Sequence, residues 1–180
     1  MSVKVVTGVV RLSYPHLSQP DPTYGKYSCV LLIPKSDTVT VKAVQDAVRE
    51  AADEFRAKFG AQSLPEPVSH TIHDGDGLKK DGTAYGPECA GCLVISVSSN
   101  TQPRCFDNFK NEISDYTKLY GGCYVRASLG FAGYNTKGNR GVTAYLNGLQ
   151  FVRDGEPFGG DVADDFTAID IDVEDDPLFA

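Results

Sequence analysis

The chain has 180 residues, enough for one domain with a sizeable core. Its 24 acidic and 17 basic residues give a net charge of −7, yet eight carboxylates and no cation fall in residues 161–180, so residues 1–160 hold 16 acidic against 17 basic residues, a net +1. No apolar run reaches the roughly 18 residues of a membrane helix, "MSVKVVTGVV" lacks the pattern of a signal peptide, and five cysteines, an odd number, argue against a secreted disulfide framework and for a reduced intracellular protein.

In chain order, "VKVVTGVVRLSY" is Val-rich and predicts a strand. "YPHLSQPDPTYG", with three prolines and a glycine, predicts a loop, and "KYSCVLLIP" a second strand stopped by Pro34. Ser36 and Asp37 open a helix on which Val41, Val44, Val48, Ala52, Phe55 and Phe59 recur at three- and four-residue spacing until Gly60. Its other face carries Lys42, Asp46, Arg49, Asp53 and Arg56, mixed in sign, which reads as a solvated face. Residues 61–90 have little periodicity and read as a long excursion with room for a short hairpin. "GCLVISVSSN" predicts a strand, "PRCFD" a short extended piece, and "KNEISDYTKLYGG" a loop or short helix. "CYVRASLGFAGY" and "RGVTAYLNGLQFV" are the clearest strands, joined by the Gly/Asn turn "NTKGN", and Gly148 marks a bulge where the apolar alternation changes phase.

Five main strands with one long helix between the second and third predict a mainly β fold, a five-stranded Greek-key barrel of the OB plan. An open antiparallel sandwich is the alternative, and a doubly wound fold is excluded because strands and helices do not alternate. The domain division is 1–160 for the body and 161–180 for an acidic tail, which self-repulsion should leave disordered.

Enzyme motifs are scarce. "GYNTKGNR" comes near a P-loop, but Asn139-Arg140 stand where Lys then Ser/Thr are required. "HTIH" (His70, His73) and "CAGC" (Cys89, Cys92) have plausible zinc spacing, in an unusual order, so a zinc-stapled module or a metal-dependent DNA-processing enzyme is the alternative function. "HDGDG" lacks the Glu of a calcium loop and reads as a turn. The positive signal is distributed. Tyr14; Tyr24 with Lys26; Lys79 and Lys80 with Tyr85; and Tyr134, Lys137, Arg140 and Tyr145 set flat rings beside cations. That mixture suits single-stranded nucleic acid, where rings stack on bases and cations meet phosphates.

Together "YPHLSQPDPTYGKYSCVLLIPKSD", "HDGDGLKKDG", "PRCFDN", "YGGCYVRASLGFAGYNTKGNRGVTAYLNGLQFVRDG" and the acidic tail resemble the tailed-phage single-stranded DNA-binding proteins with an OB-type barrel. The resemblance implies a non-enzymatic replication and recombination protein. It would coat single strands without sequence preference, need no cofactor, and act in the cytoplasm of the infected bacterial host cell. It also implies a tail that recruits replication or recombination proteins, here through Asp172, Glu174, Asp175, Asp176, Leu178 and Phe179. The chain departs from the pattern in its "CAGC" pair and in ending on Ala180 after Phe179. A polyanionic tail can also occupy a DNA groove in the absence of DNA. No membrane partner is expected, a homodimer is left open, and a structural virion protein is a further rival.

Overall fold

The computed structural model describes residues 2–136 and 138–158. They form eight strands and one long helix: β1 (Val3–Val6), β2 (Val10–Asp21), β3 (Lys26–Pro34), α1 (Thr38–Phe59), β4 (Ile72–Asp74), β5 (Cys92–Ser99), β6 (Arg104–Phe106), β7 (Tyr124–Thr136) and β8 (Asn139–Arg153). The fold is mainly β with a single helix, as the alternation and the one long periodic segment predict. The acidic tail lies outside the described residues.

The expected strands are present, but their bounds shift. The first one breaks at Gly8 into β1 and β2. Gly8 passes so close to the helix start that a Cβ there would lie 2.6 Å from an Asp37 carboxylate oxygen, and its N–H donates to Thr40 Oγ1 at 2.9 Å. The predicted loop "YPHLSQPDPTYG" is corrected: β2 runs on to Asp21. Pro15 and Pro20 are tolerated because the β2–β3 register slips between Ser13 and His16 and again between His16 and Asp21, so few ladder donors are needed there.

Pairing runs β2–β3, β3–β5, β5–β8, β8–β7 and β7–β2, with β1 added to β7, β6 to β8 and β4 to β5. Two seams in this circuit are thin. β5 meets β8 in parallel at the single pair Ser98↔Tyr145, and β2 meets β7 at Val10↔Val125 and Arg11↔Tyr124. The sheet is therefore not a clean barrel. The β7–β8 hairpin is long and regular, and its slip between Ser128 and Leu129, opposite Gly148 and Leu146, is the bulge that Gly148 signalled.

Inside, Val125, Ala127, Leu129 and Phe131 of β7 meet Leu12, Leu31, Ile33, Ile95 and Val97 in one buried cluster. Helix α1 buries Val44, Ala47, Val48, Ala51 and Ala52 against it. Asp37 caps the helix by accepting from Thr40 N at 3.1 Å, and Gly60 ends it at φ 108°, where only glycine is unstrained. Phe59 belongs to the periodic stripe but remains 59% exposed. The outer face is solvated as expected, with Asp46 between Lys42 and Arg49 at 2.7 and 3.0 Å. No described helix is long and apolar enough to cross a membrane.

Candidate nucleic-acid interface

The outer face of β3 and β5 changes character along its length. Leu32 and Val94 pair directly and are buried under Cys89, Tyr85 and Phe158, which the 75–92 excursion and the 154–158 segment bring over the sheet. Two and four residues further along, the pairs Val30↔Ser96 and Ser28↔Ser98 lie uncovered. They floor an open groove of about 580 Å³ walled by Tyr14, His16, Tyr24, Lys26, Thr71 and Thr143.

One row crosses this groove at right angles to the strands. His16 pairs with Ser28, Ser28 with Ser98, and Ser98 with Tyr145, linking β2, β3, β5 and β8. Three strand spacings make it about 14 Å long. The floor offers hydroxyls, and the rings stand at its edges: Tyr14 is 70% exposed, Tyr24 77% and Tyr145 39%.

Local sequence explains how the two most exposed rings are held out. The β2 register slip falls at Tyr14-Pro15, and Tyr14 sits at φ 45°, a left-handed conformation that a bulky side chain rarely adopts. The bulge turns its ring off the ladder and into the groove. Tyr24 rides the β2–β3 turn, which Asp21 closes by accepting from Tyr24 N, Gly25 N and, through its carboxylate, Thr23 N. Gly25 supplies the φ of 67° that the turn requires. Lys26 follows on the groove side, and His16 lies 3.7 Å from Asp21.

Of the residues expected from sequence, the groove thus gathers Tyr14, Tyr24 and Lys26, with Tyr145 closing the row. Tyr85 sits at its covered end, packed near Val30, with Lys79 Nζ 5.6 Å from its ring centre. Lys80 is exposed on the same excursion. Tyr134 is half-buried in the hairpin, and Arg140 lines a separate cavity beyond it with Asn135, Phe55 and Phe59. Lys137 lies outside the described residues, as do Asp172, Glu174, Asp175, Asp176, Leu178 and Phe179. Sequence reasoning missed Ser28, Ser96, Ser98, Thr71 and Thr143. Small hydroxyls look like ordinary surface in sequence, and only the fold brings these five to one groove.

The zinc alternative is not assembled. His70 Nδ1 accepts from Ile72 N at 3.2 Å, and His70 and His73 open on a cavity beside α1. Cys89 and Cys92 instead pack with Leu32 and Val94, where burial pushes both thiols above their ordinary pKa. Among the described residues no three His, Cys, Asp or Glu side chains are grouped to hold a metal. The excursion is held by protein groups. Lys35 Nζ lies 2.7 Å from both Asp74 and Asp76, Asp76 accepts from Gly91 N at 2.9 Å, and Gly75 N donates to Cys92 O at 2.9 Å. "HDGDG" is the turn it was expected to be, with Asp76 N bonded to the Asp74 carboxylate.

A mainly β body with an open groove of rings, hydroxyls, a lysine and one carboxylate has the composition that suits a single-strand-binding surface. The chain belongs to the family of the Enterobacter phage Enc34 ssDNA-binding protein, whose family model matches residues 3–178. It is 33% identical over 175 residues to putative protein p50 of Acyrthosiphon pisum secondary endosymbiont phage 1, covering 89% of this chain and 90% of that one. The single-stranded DNA-binding protein of bacteriophage Enc34, solved in complex with ssDNA, superposes with a TM-score of 0.73 at 28% identity over 87% of this chain and 89% of the other. The single-stranded DNA-binding protein gp2.5 of bacteriophage T7 shares the fold, with a TM-score of 0.65 at 14% identity over 93% and 96% of the two chains.

Proposed function

We propose that the chain binds single-stranded DNA without sequence preference along the row His16–Ser28–Ser98–Tyr145, as a non-enzymatic, cofactor-free protein of phage replication and recombination in the cytoplasm of the infected bacterium. The observation that carries the reading is that row: an uncovered polar floor across four strands, edged by Tyr14, Tyr24 and Tyr145 and flanked by Lys26. Rings with cations and little hydrogen-bond readout suit bases of any sequence. The circuit β2–β3–β5–β8–β7 is read as an OB-type Greek-key barrel. Such barrels bind oligonucleotides on the second and third strands and on the loops between strands one and two and strands four and five. Here those are β3, β5, residues 22–25 with Tyr24, and the β7–β8 connection. The Enc34 relative is solved in complex with ssDNA, which supports single-stranded DNA as the ligand.

Residues 161–180 are assigned two linked roles: competition with DNA for the groove, and recruitment of replication or recombination proteins once DNA displaces them. The root of the tail favours this. Arg11 stands 4.3 Å over the Phe158 ring and donates to Glu156 O, so the described chain ends on the groove face. Arg11 pairs with Leu32, four residues along β3 from Ser28, or about 13 Å.

Titration with single-stranded and duplex oligonucleotides tests the reading. Single strands should bind far more tightly, and log affinity should fall with log salt by about 0.7 per phosphate neutralised. Equal affinity for both forms, or no salt dependence, would contradict it.

A further inference from the structure

Helix α1 ends beside the tip of the β7–β8 hairpin, and the two border an open cavity of about 870 Å³ lined by Phe59, Gly60, Gln62, Ser63, Asn135 and Arg140. Among the described residues no carboxylate lines it. Phe59 packs on Phe55 at 4.5 Å between ring centres with the rings tilted by 40°, has Lys58 Nζ 5.3 Å from its own centre, and is 59% exposed. An exposed ring beside an ammonium and a guanidinium repeats, on a smaller scale, the composition of the groove.

The cavity and the groove are also two ends of one seam. Residues 60–71 run beside the hairpin, with Asn135 Nδ2 donating to Ser63 O at 3.5 Å and Val142 N to Ser69 O at 2.8 Å. Ser63 and Arg140 line the cavity, while Thr71 and Thr143 line the groove. Arg140 and Thr143 are three residues apart on β8, about 10 Å.

We propose that this cavity is a second stacking subsite for the same strand: a base lies on the free face of Phe59 and its phosphate meets Arg140. This rests on the reading that the chain binds single-stranded DNA, and it lengthens the track around the hairpin tip toward the helix end. Continuity with the groove favours nucleic acid as the occupant here.

The chain contains no tryptophan, so Phe59→Trp gives a single reporter. Labelled oligo-dT of about 4 and about 16 nucleotides, the span of single OB-domain sites, is titrated while oligonucleotide anisotropy and Trp emission are read together. Both lengths should bind, and only the longer should quench the Trp. Phe59→Ala should weaken the longer oligonucleotide about 5- to 150-fold and leave the shorter unchanged. Arg140→Gln, at an exposed position, should lower the salt slope for the longer one by about 0.7. Bound DNA with silent Trp emission, or equal loss at both lengths, overturns the subsite and leaves the groove reading standing. If anisotropy detects no DNA at all, the functional reading falls and the subsite with it.

Discussion

Tyr14 is held at the wall of the proposed groove in a backbone conformation its side chain disfavours. Its φ of 45° costs about 1–2 kcal/mol in a non-glycine residue. Such strain tends to persist where a side chain must be held in a binding site. Tyr14→Gly should therefore raise stability by about 1 kcal/mol in thermal unfolding. It should also weaken single-stranded DNA binding by about 1–3 kcal/mol through loss of the ring. A variant that loses stability, or binds as before, would contradict this placement. Tyr24→Ala should lose a similar 1–3 kcal/mol of binding without unfolding, since its ring is almost free of the body. The cysteines behave oppositely. Burial pushes Cys105 up to about 12 and Cys123 up to about 11, and Cys29 higher still, so these core thiols should resist alkylation until the protein unfolds.

Among the elements, α1 and the β7–β8 hairpin were legible in sequence because their periodicities are long and their ends are marked by Asp37, Gly60 and the "NTKGN" turn. The course of β2 was not legible. Pro15 and Pro20 signal a loop locally, and only pairing with β3 on a slipping register shows a strand. The contact between α1 and β7 depends on one missing side chain, since a Cβ at Gly133 would lie 2.6 Å from Phe55. Gly133→Ala should cost about 1–3 kcal/mol by overpacking, read from the denaturation midpoint. The 72–92 excursion is held by Lys35, which keeps the carboxyls of Asp74 and Asp76 below their ordinary pKa. Because the folded values lie below the unfolded ones near 4, this contribution is complete above about pH 4 and is lost as pH falls through the folded values. Amide protection across residues 75–92 should drop in that acid window, and at neutral pH in Lys35→Ala. Unchanged protection in the variant would contradict the staple.

At the scale of the whole molecule, the charge division between residues 1–160 and 161–180 predicts the effect of removing the tail. Deletion changes the net charge from −7 to +1. Affinity for single strands should rise, most at low salt, because tethered carboxylates compete at high local concentration and are screened within about 8 Å at physiological ionic strength. Weaker binding by the truncated chain in paired titrations would refute competition. The proposed binding face was only half legible. Tyrosines beside lysines named Tyr14, Tyr24, Lys26 and Tyr145, but their union across β2, β3, β5 and β8 depends on pairings between residues up to 70 positions apart, such as Ser28 and Ser98. Arg140 and Tyr145 were expected together at the last hairpin, and the fold sends Arg140 to the helix end and Tyr145 to the row. The central claim is that DNA lies across that row, and photocrosslinking a halogenated oligo-dT to the full chain, with adducts mapped by mass spectrometry, tests it most directly. Adducts should fall on Tyr14, Tyr24 and Tyr145; adducts confined to the separate surface around Phe106, Lys110 and Arg126 would contradict the account.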